Sequence, residues 1–361
     1  MNWRPIYIGI ILIVISIGLV LKPYTRARRA FSAKAAGEKG HLVWIMHSYL
    51  PNVRAGSEIT AHALNRHLAA NGWRISVLVN SYVTDHHDGI DIYPLSAPYA
   101  DDIIASATII GCQNFNGYDG IRYAERFNKP IVFFLHVEFE KIDILQQRFN
   151  VPVYVVYNSE TQRHALPTIH RWTTVRPHID YAHFRAVNVQ PSARYITLLN
   201  CNTNKGGEIL YMLAKEMPGH QFLGIKGAYQ KQLTYELPNL KYLPTFDDPR
   251  QVYAMSRIII MPSRAESWGR VALEAMAAGI PVIVGDTPGL RECTSGSAPV
   301  CRHTDSQCWL TEIERLYEDG PERSAAIAAG LARVAELDVA PDFKLFDEWL
   351  AATQANHSPK N

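Results

Sequence analysis

Cysteine is scarce in this chain: five in 361 residues, at positions 112, 201, 293, 301 and 308, with no C-x-x-C pair. That pattern excludes a disulfide-built scaffold and the usual zinc-ribbon or thiol-redox spacings. Cys293, Cys301 and Cys308 form a loose cluster with His303, but the spacing fits no ligand framework. Free thiols in a reducing cytosol are the expected state. His86-His87-Asp88 lies in a polar stretch before a strand and reads as surface. Asp101-Asp102 and Asp247-Asp248 likewise lack a metal-ligand framework, so no metal site is expected.

An excess of charge of one sign is missing as well. The net charge is +2, yet residues 1–40 hold 7 of the 36 Lys+Arg and 1 of the 34 Asp+Glu, leaving 29 against 33 in the rest. A slightly acidic body has no footprint for nucleic acid. Only the leader is basic. Pro5 to Leu21 (PIYIGIILIVISIGLVL) is 17 uncharged residues, at the short end of what spans a bilayer. Lys22, Arg26, Arg28, Arg29 and Lys34 follow it and only Arg4 precedes it. One retained transmembrane helix with the body facing the cytosol is therefore expected, and residues 22–40 read as a basic juxtamembrane linker. A cleaved signal ending at Ala33-Lys34-Ala35 is the rival reading, but that site lies far beyond the apolar run and the basic residues are on the wrong flank.

No short tandem repeat occurs in the body. Instead, short apolar runs alternate with amphipathic segments, the pattern of parallel α/β architecture. HLVWIMH, RISVLVN, ATIIGCQ, PIVFFLH and VPVYVVYN read as strands. After the Gln190-Pro191-Ser192 break the alternation restarts with YITLLN, and HQFLGIKG, LKYLP, RIIIMPS and IPVIVGD follow. At roughly 100–200 residues per domain the length allows about two domains. The expected organisation is anchor and linker 1–40, a doubly wound domain 41–188, a second 189–342, and a helix and tail 343–361 that packs on either half. Ligands in such sheets bind at the carboxyl ends of the strands.

Four strand-end loops carry candidate chemistry. In SYLPNVRAGSEIT, Gly56 lets backbone approach a ligand or serves as a plain turn device, and Ser57 reads as the cap of the next helix. His136 ends a buried strand. In CNTNKGGE, Lys205 enters the first turn of a helix, where a cation is electrostatically misplaced unless an anion sits there. Residues 264–289, RAESWGRVALEAMAAGIPVIVGDTPG, place Glu266 and Glu274 on either side of Gly269, which opens a helix. Helix N-termini hold anions through unpaired amides and the macrodipole. Eight residues at helical rise span about 12 Å, room for a diphosphate at the helix mouth with a sugar diol on each carboxylate. Two solvated helix-face charges are the plainer reading of the same spacing.

MPSRAESWGRVALEAMAAGIPVIV, with PGLRE downstream, resembles the donor-site motif of glycosyltransferase family 4, a GT-B fold. LPNVRAGSEIT is similar to that family's first glycine loop, PIVFFLH to its active-site histidine strand, RPHIDYAHF to the segment ahead of its second domain, and NKGGEIL to its lysine-glycine diphosphate loop. The resemblance covers most of the chain. It implies two Rossmann-like domains facing across a cleft and transfer of a sugar, with retention and without a metal or other cofactor. The donor would be a UDP- or GDP-linked sugar and the acceptor a glycan, a lipid or another molecule. It further implies that His136 lies beside the anomeric centre and Glu266 holds the transferred sugar. Glu274 would bind the ribose, Lys205 with Gly206 the diphosphate, and Ser267, Trp268, Gly269, Arg270 and Val271 the phosphates at the helix mouth. Gly56 and Ser57 would face the donor from the other domain. Two departures stand out. The family's arginine five or six positions before the lysine is here Asn200 or Leu199, and its paired glycines are Ala55-Gly56. Asn200 donates only neutral hydrogen bonds, so a second cation is expected from Arg270, Lys226 or Arg54. A nucleotide-sugar epimerase and a non-catalytic scaffold of the same fold are the alternatives.

Overall fold

Parallel strands covered by helices on both faces need apolar side chains on both sides, and runs such as Leu42-Val43-Trp44-Ile45-Met46 supply them. The computed structural model describes residues 39–80, 84–113, 116–136, 143–227, 230–338 and 342–355. The expected membrane span, residues 5–21, lies outside them. Among the described residues no helix is long and apolar enough to cross a membrane.

The first sheet contains β1 (Gly40–Met46), β2 (Trp73–Val79), β3 (Asp85–His87), β4 (Ile90–Pro94), β5 (Ile109–Gln113), β6 (Ile131–Leu135), β7 (Val153–Tyr157) and β8 (Arg171–Thr174). Their order is β3-β4-β2-β1-β5-β6-β7-β8, and only β3 runs antiparallel to its neighbour. Helices α1 (Gly56–Ala70), α2 (Ala100–Ala105), α3 (Gly117–Phe127) and α4 (Glu160–Ala165) connect them. One sheet face buries Trp44, Leu64 and Phe134, the other Val43, Ile45, Ile110 and Phe133.

After α5 (Tyr181–Arg185) the chain starts a second sheet: β9 (Tyr195–Leu199), β10 (Gln221–Ile225), β11 (Leu240–Leu243), β12 (Ser256–Met261), β13 (Val282–Gly285) and β14 (Val300–Cys301). The order β11-β10-β9-β12-β13-β14 is wholly parallel. Its helices are α6 (Gly207–Glu216), α7 (Arg250–Met255), α8 (Arg270–Ala277), α9 (Pro288–Thr294), α10 (Ser306–Tyr317) and α11 (Pro321–Asp338). The last helix, α12 (Asp342–Ala355), crosses back to the first domain. Its Phe346 stacks edge-on against Phe134 at 5.4 Å, and its Asp347 accepts from Trp73 Nε1 at 2.7 Å.

The cysteines differ from the expected free thiols. Cys301 and Cys308 are bonded to each other, their Cα atoms 5.6 Å apart, while Cys112, Cys201 and Cys293 are buried thiols. Asp305 accepts from the Cys308 amide as the cap of α10, which folds the intervening loop back onto β14. His303 is not gathered with these sulfurs; its Nδ1 lies 3.0 Å from the Pro262 carbonyl oxygen.

Candidate active site

Strand order reverses on either side of β1 in the first sheet and of β9 in the second. Loops leave the carboxyl ends of the central strands at such switch points, and the crevice between them is where open α/β sheets bind ligands. Here the two crevices face each other across one cavity of about 410 Å³, within the usual range for small-molecule sites. Its walls hold Gly56, Ser57, His136, Asn200, Lys205, Glu266, Ser267, Trp268, Gly269, Arg270, Val271 and Glu274. Of the catalytic and donor-binding candidates Gly206 alone is not a lining residue, and of the three candidate second cations Arg270 alone is one.

The floor is the start of α8. Gly269 caps it at φ 149°, and a Cβ there would meet Leu290 Cδ2 at 2.7 Å, so only glycine brings the chain in at this angle. Glu274, in the second turn, is 7% exposed, which removes the reading of a solvated helix-face charge. Its Oε2 accepts from the buried Tyr253 hydroxyl at 2.7 Å and its Oε1 from Arg270 Nη2 at 3.1 Å. Burial, with the Glu274 charge beside it, drives the Tyr253 hydroxyl well above its ordinary pKa, so it stays a donor. Arg270 also crosses the cleft: its Nη1 reaches the Gly56 carbonyl and the Thr60 hydroxyl, both at 3.3 Å. Lys226 and Arg54 are exposed and line no part of the cavity.

Lys205 lies in the turn before α6 and not in its first turn, a correction to the expectation. Gly206 intervenes at φ 84°, where a Cβ would sit 2.6 Å from the Pro262 carbonyl oxygen. Lys205 Nζ pairs with Glu266 Oε1, which also accepts from Ser263 Oγ at 3.0 Å. The misplaced-cation argument thus meets an anion supplied by the protein itself. Asn200, in the left-handed region at φ 70°, accepts through Oδ1 from Asn202 and from Gln232, both at 3.0 Å.

In the facing domain, Ser57 does not cap α1. The cap is Ala55 without a side-chain bond, and Ser57 Oγ donates to Glu58 at 2.7 Å. His136 stacks on Phe134, and burial, reinforced by the Arg270 charge, pushes its pKa down to about 4. It is a neutral imidazole at neutral pH. Ser267 Oγ donates to the His136 carbonyl at 2.7 Å and accepts from Asn158 Nδ2 at 2.7 Å, so it joins the two domains. Glu292 adds to this joint by accepting from the Glu160 and Thr161 amides at 3.0 and 2.6 Å. Asn158, Tyr253 and Thr60 were not singled out from sequence. Asn158 had a usable signal, a polar residue at the end of an apolar strand. The buried Asn158 Oδ1 has no hydrogen-bond partner among the described residues and lies in the cavity wall.

Known proteins resemble the chain in part of its sequence or in its fold. Over 83 residues the chain is 35% identical to a D-inositol 3-phosphate glycosyltransferase of Thermobispora bispora, covering 22% of this chain and 19% of that protein. Over 94 residues it is 33% identical to the O-antigen chain mannosyltransferase B of Escherichia coli, covering 26% and 24%. The match thus spans about a fifth to a quarter of the length of these relatives. Among solved structures, sucrose-phosphate synthase from Thermosynechococcus elongatus aligns over 88% of this chain and all of its own, with TM-score 0.68 and 17% identity. Anabaena HepE in complex with UDP-glucose aligns over the same shares with TM-score 0.69 and 16% identity. The chain therefore has the two-domain GT-B-like fold of these structures, and its residues 225–333 match the family of glycosyl transferases group 1.

Proposed function

We propose that the protein is a glycosyltransferase of the family 4 type, moving a sugar with retention from a UDP- or GDP-linked donor to a glycan, lipid-linked or other acceptor. The observation that carries this reading is the convergence of Glu266, Lys205, the α8 N-terminus and Glu274 on one cavity wall, with His136 opposite. A nucleoside diphosphate leaving group needs cationic and dipolar stabilisation as charge develops on it. Lys205 and the first amides of α8 supply both. Glu274 accepts from the ribose diol, and Glu266 from hydroxyls of the transferred sugar once Lys205 turns from it to phosphate. His136, uncharged at neutral pH, hydrogen-bonds the sugar near its anomeric carbon without adding a cation. Asn158 Oδ1 is a further acceptor for a sugar hydroxyl.

The UDP-glucose complex of Anabaena HepE supports a uridine donor as the first to test. The experiment is a panel of UDP- and GDP-sugars incubated with the full chain and candidate acceptors. Nucleoside diphosphate release that depends on acceptor, with an α-linked product from an α-linked donor, supports the reading. Acceptor-independent conversion of the donor points to an epimerase, and no turnover with any donor to a scaffold. We also propose that residues 5–21 anchor the chain with its body in the cytosol. The flanking charges support this, whereas the Cys301–Cys308 bond is unusual in a reducing compartment. Labelling of Arg- and Lys-rich residues 22–40 from one side of sealed vesicles decides between the two orientations.

A further inference from the structure

On the far edge of the first domain, His62, His87 and Asp88 each offer one ligand atom, and these atoms all lie within 4.8 Å of one another. We propose that these three side chains form a binding site for a divalent cation of the zinc class. None of them lines the donor cavity, so the site stands apart from the reading above.

Two elements assemble it. His62 lies in α1. His87 ends β3, and the pairing of His87 with Ile90 leaves Asp88-Gly89 as a two-residue loop. Both loop residues have positive φ, 48° and 83°, the arrangement favoured in tight hairpins and one that Asp-Gly adopts readily. This turn brings Asp88 Oδ2 within 3.3 Å of His62 Nε2, and the His62 and His87 rings within 4.9 Å. Three such ligands around one ion leave a position for water, and two imidazoles with one carboxylate are a donor set that suits zinc.

A second observation concerns the other side of the His62 ring. Its Nδ1 lies 3.0 Å from the Tyr49 hydroxyl. Tyr49 accepts from Asn65 Nδ2 at 2.9 Å, and Asn65 Oδ1 accepts from Trp44 Nε1 at 2.6 Å. This buried chain fixes the ring so that Nε2 points outward at Asp88. A partner on the second ring nitrogen is the usual support of a metal-bound histidine. When the Tyr49 hydroxyl accepts from Nδ1–H, Nε2 is left bare for a metal. Arg66 Nη1, 3.8 Å from Asp88 Oδ2, is the competing cation, and it sits on an exposed side chain free to swing away. An ion here would tie the β3–β4 hairpin to α1, whose first turn borders the cleft.

The test uses the full chain, stripped with chelator, dialysed, and titrated calorimetrically with Zn²⁺ alone. Visible absorption with Co²⁺ reports the ligand set. One equivalent should bind, with a raised unfolding temperature. His87→Ala and Asp88→Asn should each weaken binding by about tenfold or more, the scale on which metal-site partners act. Asparagine tolerates the left-handed turn, so Asp88→Asn removes the charge and keeps the hairpin. Arg66→Ala should bind at least as tightly as the wild type. The proposal is overturned if the wild type takes up no stoichiometric Zn²⁺. It is equally overturned if the double variant His87→Ala/Asp88→Asn binds as the wild type does, the three side chains then being only an ion pair that closes the hairpin on the helix.

Discussion

Replacing Glu274 tests the donor site most directly, because the structure fixes what its carboxylate has left to offer. An ionised carboxylate has about four acceptor positions. One on Oε2 is taken by the Tyr253 hydroxyl, and both on Oε1 by Arg270 Nε and Nη2, at 3.4 and 3.1 Å. The free Oε2 position, with one on Oε1 that Arg270 gives up when it turns to phosphate, would match a vicinal diol. Hydrogen bonds to a charged group contribute roughly 1.5–3 kcal/mol each, so their loss in Glu274→Ala is about 3–6 kcal/mol before relaxation. At 1.4 kcal/mol per decade this predicts nucleoside diphosphate binding at least about a hundredfold weaker. Glu274→Gln retains the shape and one carbonyl oxygen. Neutral bonds are about half as strong as charged ones, so its loss should be nearer tenfold. Tyr253→Phe removes only the group that orients the carboxylate and should cost a few-fold. Calorimetry with UDP and GDP reads all three variants. Glu274→Ala also strands the buried Tyr253 hydroxyl, and an unpaired buried donor costs roughly 1–3 kcal/mol of stability, so thermal unfolding must be followed in parallel. If folded Glu274→Ala binds nucleoside diphosphate as tightly as the wild type, the ribose assignment is wrong.

Arg270→Ala should raise the donor dissociation constant about tenfold, since one charge-assisted contact is lost, while Arg54→Ala and Lys226→Ala remain near wild type; the reverse pattern in the same titration would move the compensating cation elsewhere. Stability should fall as pH drops from about 6.5 towards 3, because burial lowers the His41 pKa to about 3 whereas the unfolded residue binds its proton below about 6.5. Its contribution is complete above pH 6.5, and His136 acts in the same sense. Urea titrations across this range should show a shallower slope for His41→Gln, and an unchanged slope would contradict the assignment. Chelator should leave transfer measurable if, as proposed, Lys205 and the α8 amides hold the diphosphate; activity lost in EDTA and restored only by added metal would refute that.

Most of the two sheets was legible because their central strands are covered on both faces and must be continuously apolar. The misses lie at sheet edges. β3 (Asp85–His87) and β8 (Arg171–Thr174) are short and polar, and exposed at least in part, so no apolar run marks them. β14 is too short for any pattern, and the Cys301–Cys308 bond that follows it depends on the cap of α10, which spacing alone does not reveal. The destination of α12 was open for a related reason. Its buried stripe fits any apolar groove, and contacts with residues far away in sequence, Phe346 with Phe134 and Asp347 with Trp73, select the first domain.

Within the site, local and non-local information separate cleanly. A helix opened by Gly269 and flanked by two glutamates is a local pattern, and its physical meaning follows from amide geometry and charge. The same local logic said that Lys205 required an anion. It left open that Glu266 supplies one, since the two residues are 61 positions apart. Ser267 shows the limit most clearly. Its position in the motif suggests phosphate, yet its hydroxyl is occupied by His136 and Asn158 of the facing domain. With Arg270 and Glu292 it forms a set of polar contacts across the cleft, in which each partner lies more than a hundred residues away. Sequence therefore singled out residues that the fold gathers on one cavity, while the contacts that hold the two halves of the site in register exist only after both domains have folded.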